Sequence, residues 1–188
     1  MKRLAPVVLW AALFPAASFA EMTYSNVEFK YMDLSLDRSY ANVDGRAFAV
    51  SGAYELTRKV FLLGEWQEPN YDRGIDGRQY EVGAGLHHAI NNKLDFVGTL
   101  SYVDSKVDVG PFSVSDDAFS VGGGVRTRLS DSFELDAMLK YVNFDQAGSD
   151  TGVRVDGRWY FKKAMALSFG TDTTNNVDAL HVGFRVEF

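Results

Sequence analysis

The sequence predicts an all-β protein: a closed antiparallel up-and-down barrel of about ten strands that crosses a membrane, with eight strands as the alternative count. Three observations predict it. After Ala20 apolar residues recur at every second position, and no run approaches the roughly 20 apolar residues a membrane helix needs. No stretch holds the i, i+3, i+4 spacing of an amphipathic helix. The connections between alternating segments are very short and longer by turns, as antiparallel neighbours require.

The chain of 188 residues begins with Lys2 and Arg3, an apolar run from Leu4 to Ala17, and the small residues Ser18 and Ala20 before a cut. Residues 1–20 thus read as a secretory leader, too short and too interrupted by Pro6 and Pro15 to span a bilayer comfortably. Residues 21–188 read as one barrel domain. Its alternating segments are Val27 to Tyr31, Phe48 to Leu56, Val60 to Trp66, Tyr80 to Leu86 and Leu94 to Tyr102. They continue with Phe119 to Val125, Phe133 to Tyr141, Val153 to Phe161, Met165 to Phe169 and Leu180 to Phe188. Short links fall at Thr57 to Lys59, His88 to Lys93, Leu129 to Ser132 and Phe161 to Lys163, while stretches such as Asp33 to Gly45 and Asp104 to Asp117 read as longer acidic connections. Pro69 and Pro111 fall in the longer connections, where a missing backbone donor does no harm.

One face of these strands carries no charge, and the other carries both signs among small residues such as Ser51, Gly85 and Gly122. Alternation alone leaves the direction of the apolar face open. Aromatics at the strand ends decide for lipid outside: Tyr31, Trp66, Tyr80, Tyr102 and Tyr141 lie beside the longer links, and Tyr54, Phe133, Trp159, Phe161 and Phe188 beside the short turns. The interior then holds a charge network for which Glu28, Lys30, Glu65, Arg126, Asp136, Lys140, Arg154, Arg158 and Arg185 are the candidates. Such charges need partners, so they should fill the lumen and leave at most a narrow wet path.

Losing Lys2 and Arg3 takes the formal charge from -6 to -8, and no basic face is visible, which argues against a nucleic-acid partner. Cysteine is absent, which excludes disulfides and thiolate chemistry.

The leader, the alternating strands and the last strand "ALHVGFRVEF" together resemble the small outer-membrane β-barrels of Gram-negative bacteria, in the broad OmpA/OmpX-like class. Within it, "GRQYEVGAGLHHAI" and the terminal segment are most similar to the diffusible-signal-regulated small barrels of xanthomonads. The resemblance implies a monomer in the outer membrane after cleavage near Ala20, with outer-membrane lipid and lipopolysaccharide as surroundings. It also implies periplasmic chaperones and the barrel-assembly machinery as partners during biogenesis. That machinery would read Leu180, Val182, Phe184, Val186 and Phe188. Ten strands depart from the eight of that class.

Chemistry finds little support. His87 and His181 face the lumen and His88 sits at a turn, with no Ser or Asp at a recognisable spacing. "DGR" recurs at Asp44, Asp76 and Asp156, the first two as turn chemistry leading into strands and the third inside a strand. Asp33, Asp37, Asp72, Asp76, Asp104, Asp108, Asp116 and Asp117 lack calcium-loop spacing and read as a solvated acidic surface. The expectation is a non-enzymatic barrel without cofactor or metal, structural or surface-interacting through its longer loops. The alternatives are a narrow pore for small solutes and, behind that, a lipid-modifying enzyme.

Overall fold

The computed structural model describes residues 22–38 and 41–188. The expected leader, residues 1–20, lies outside the described residues. Ten strands follow: β1 (Asn26–Arg38), β2 (Ala41–Thr57), β3 (Val60–Tyr71), β4 (Ile75–Asn91) and β5 (Leu94–Val109), then β6 (Phe112–Ser130), β7 (Phe133–Phe144), β8 (Gly148–Lys162), β9 (Met165–Thr174) and β10 (Val177–Glu187). Each pairs antiparallel with its neighbour in sequence, and β1 pairs with β10 from Asn26–Glu187 to Leu36–Val177. The sheet therefore closes with ten strands, and no edge is left with unpaired backbone. None of the described residues is helical.

Period two dictates what each side meets. Phe29, Tyr54, Leu86, Leu100, Leu139 and Val182 stand exposed on the outside, while Glu28, Asp95, Arg126, Glu134, Arg158 and Arg185 are buried inside. A continuous apolar belt of this kind is costly in water and stable against hydrocarbon. At the end where β1 starts and β10 finishes, four hairpin turns join β2–β3, β4–β5, β6–β7 and β8–β9. Each of these hairpins carries one register shift beside its turn.

The opposite, distal end corrects the sequence reading. Asp33 to Gly45 and Asp104 to Asp117 are not long loops: β1 runs to Arg38 and β2 starts at Ala41, and β5 runs to Val109 and β6 starts at Phe112. The reason is a reversal of phase. Beyond the ring formed by Tyr31, Phe48, Tyr80, Tyr102 and Tyr141, the outward positions become polar, as at Asp33, Ser35, Asp104 and Lys106, and the inward ones apolar, as at Met32, Leu34, Val103 and Val107. A strand that leaves lipid for water must invert its pattern, and an inverted pattern looks like a strand ending.

Three further expectations change because the strands run longer than the alternating segments. Pro69 lies within β3, paired to Ala47 of β2, and it falls in a gap of the β3–β4 ladder between Gln67–Gln79 and Asn70–Asp76. That gap removes the need for its missing donor. The "DGR" copies at Asp44 and Asp76 also lie inside strands, β2 and β4, rather than in turns. Their glycines serve close approach: a Cβ on Gly77 would stand 2.7 Å from Pro69 Cγ, and one on Gly45 would run into the Tyr71 ring. His88 likewise is a β4 residue opposite Phe96, exposed on the outer side.

Candidate functional site

The lumen receives the inward side chains of the ten strands, and it is built in layers. Its floor, at the terminal end, begins with residues before β1 that turn into the barrel. Tyr24 stacks on His87 with ring centroids 4.0 Å apart and on Phe61 at 4.8 Å. Its hydroxyl donates to Asp95 Oδ2 at 2.9 Å. The Arg126 guanidinium lies 5.0 Å from the Tyr24 ring centroid and donates to the Thr23 carbonyl at 2.7 Å.

Arg126 also donates to Glu134 Oε2 at 2.6 Å, and Arg128 reaches the other oxygen of the same carboxylate at 2.8 Å. The Tyr160 hydroxyl donates to Glu187 Oε1 at 2.6 Å and lies 3.1 Å from Glu134 Oε2. Arg126 and Glu134 are 2% and 0% exposed, so packed side chains occupy the lumen at this level. Two charges so buried are tolerable only because each is multiply hydrogen-bonded.

Above the floor, Arg185 lies 3.4 Å from Glu28 and 3.1 Å from Glu187. Arg158 is 3.9 Å from both Asp136 and Asp156, and His181 Nε2 is 2.7 Å from Asp156. The uppermost charged layer pairs Lys30 with Glu65 at 2.6 Å, Arg154 with Asp172 at 2.7 Å, and Lys140 with Glu81 at 2.5 Å. Ser101 adds a second hydrogen bond to Glu81 at 2.5 Å.

The nine residues singled out from sequence all lie in the lumen, and each stands within ion-pair distance of an opposite charge. Tyr24, Arg128, Tyr160 and Asp172 were missed. Tyr160 sits between the outward Trp159 and Phe161 and vanished into that aromatic run, although its even position in β8 marks it as inward. Arg128 and Asp172 lie past the points where the alternating segments seemed to stop, at Val125 and Phe169.

Two cavities follow. A lower one of about 180 Å³ lies among Tyr24, Glu28, Arg126, Arg158 and Arg185. An upper one of about 250 Å³ is lined by Met32, Leu34, Val103, Val142 and Phe144. Glu65, Lys140 and Arg154 border both, so the uppermost charged layer is the partition between them. His87 and His181 face Asp95 and Asp156 inside the lumen, and neither ring has a well-directed hydrogen bond to a serine. Among the described residues no group of three or more His, Asp or Glu side chains is placed to hold a metal ion.

On the outer face of β10, Leu180 and Val182 are exposed, Phe184 and Val186 continue the same row toward the terminal end, and Phe188, just past the strand, is exposed as well.

No family model matches the sequence, and no curated protein matches it either. Solved structures do match in fold. The translocator domain of the autotransporter NalP from Neisseria meningitidis superposes with a TM-score of 0.54 at 9% identity, covering 89% of this chain and 90% of that one. The NanC porin gives a TM-score of 0.50 at 10% identity, covering 87% and 100%. The chain therefore has the closed up-and-down barrel fold of outer-membrane β-barrel proteins.

Proposed function

We propose that this protein is a non-enzymatic barrel of a Gram-negative outer membrane, with a structural or surface-contact role exerted from its distal rim. The observation that carries this reading is the combination of an uncharged outer belt with a floor sealed by Tyr24, Arg126, Glu134 and Glu187. The contact surface is the extended sheet of the β1–β2 and β5–β6 hairpins rather than five longer loops, because those strands rise furthest beyond the aromatic ring. Lipid and lipopolysaccharide surround the belt, the barrel is monomeric, and the outward row of β10 from Leu180 to Phe188 is the stretch that assembly factors and chaperones would engage. Export with cleavage near Ala20 completes this picture.

Heat-dependent mobility on electrophoresis after refolding into lipid tests the membrane part, and recovery in the soluble periplasmic fraction would end it. Planar-bilayer recordings test the rest: silence is the expected result. A second reading, a narrow pore for small solutes, draws on the two cavities stacked on one axis with a single charged partition between them. Reproducible single-channel steps that change on Glu65→Gln or Arg126→Gln would favour it. A lipid-modifying role has less support, because His87 and His181 are turned away from lipid.

A further inference from the structure

Above the charged partition the lumen becomes a cup of about 250 Å³ that opens toward the distal rim. Met32, Leu34 and Val103 are buried in its wall, whereas Val142, Phe144 and Val177 remain half exposed and face the empty space. Apolar side chains held apart around a cavity leave contact energy unused that a filling chain would recover. The base of the cup is polar in a particular way. Gln67 and Gln79 stand opposite each other on β3 and β4, both lining the cavity. Among the described residues neither amide is hydrogen-bonded to another group. Each offers donors and an acceptor.

Charge selects the ligand's head. Lys30, Arg154 and Lys140 beneath the amides are matched by Glu65, Asp172 and Glu81, so neither an anion nor a cation finds an unpaired partner at that layer, and Asp150 in the wall is already engaged by hydrogen bonds from Thr151, Asn175 and Asn176. Outside the rim, Asp76, Asp104, Asp108 and Asp117 also disfavour an approaching anion.

We propose that the cup binds an uncharged single-chain amphiphile, its alkyl chain against Met32, Leu34, Val103, Val142 and Phe144 and its hydroxyl, ester or amide head on Gln67 and Gln79. This goes beyond the structural role and does not rest on it, because the lumen is the same whatever surrounds the barrel.

Photo-reactive octanamide, octanoate and octylammonium with one common chain provide the test, irradiated with the folded protein in lipid nanodiscs and mapped by mass spectrometry. Saturable labelling of Val103, Val142 or Phe144 is expected, strongest for octanamide and competed by the unlabelled amide. The double variant Gln67→Leu/Gln79→Leu should weaken it roughly tenfold, the effect of two lost hydrogen bonds. Ala179→Trp, which fills the cup, should abolish it. Labelling confined to the lipid-facing Leu100, Val121 and Leu139 would overturn the proposal, as would equal capture of the three heads or undiminished capture by the double variant. Should that variant fail to show a heat-shifted band, the head-group comparison and the competition on the unaltered protein decide alone.

Discussion

Below Lys30 and Glu65 the interior pairs Arg126 with Glu134, Arg158 with Asp136 and Arg185 with Glu28, beside a small apolar cluster of Tyr24, Phe61 and Val97. Above them the interior is Met32, Leu34, Ala47, Ala49 and Ala179, joined by packing alone. Both zones face the same lumen, and the difference follows what lies outside them. Where lipid covers the outer face, the apolar residues are committed there and the polar ones must be satisfied inside. Where water covers it, the barrel becomes an ordinary β protein with its small core within. The lower zone is thus intolerant of any lost partner, while the upper one behaves as a soluble core with room left in it.

The largest expected effect is in the charged zone. Glu134→Ala should cost about 3–5 kcal/mol, because it leaves the buried Arg126 with only the longer 3.4 Å contact to Glu187 and removes the carboxylate that Arg128 shares. Denaturant titration of the refolded barrel measures this, and a loss below about 1 kcal/mol would mean that water already reaches the floor. Tyr24→Ala comes next, at about 3 kcal/mol for the lost ring packing. It should also produce the first conductance steps in a bilayer, since it uncovers the lower cavity. Silence from this variant would place the seal at Arg126 and Glu134 alone.

Leu34→Ala tests the upper zone at its packed side, against Ala47, Ala49 and Ala179, and should cost about 2 kcal/mol. Phe144→Ala, on the open side of the cup, should cost less than about 1 kcal/mol. Equal losses at the two positions would mean that the cup collapses in solution.

The smallest effect concerns the rim. Burial opposes ionisation of Asp150, but hydrogen bonds from the Asn175 backbone, Asn176, Thr174 and the Thr151 backbone outweigh it and hold the carboxyl below its ordinary 3.8. A carboxyl lowered in this way stabilises the folded form above 3.8, and that contribution is lost as pH falls through the still lower folded value. Proteolytic nicking near the β9–β10 turn should therefore rise only under acid, and Asp150→Asn should show the acid behaviour at neutral pH.

Sequence made the belt legible and the cup illegible, and one residue type of information explains both. Val121, Leu139 and Val153 alternate with lumen residues over a stretch long enough to fix phase, so ten strands and the inward direction of the charged side chains within the belt could be read. Met32 beside Tyr31 and Val103 beside Tyr102 place apolar residues on both faces at the water boundary, so the alternation dissolves although the strand continues. Tyr24 precedes the first regular segment, and only the fold shows that it returns beneath His87. Ion-pair partners such as Glu134 with both Arg126 and Arg128 also depend on register across β6 and β7, which turns and bulges set.

The reversal of phase at Tyr31, Tyr102 and Tyr141 has a mechanical consequence. It fixes the barrel's height in its surroundings, because sliding outward by one residue pair would lift the aromatic ring from the headgroups and sliding inward would drown Asp33 and Asp104 in hydrocarbon. Such a protein cannot tilt its way out of a thickness mismatch as a lone helix does, so the lipid must deform to meet it. The chain in effect carries a gauge of the membrane thickness it was made for.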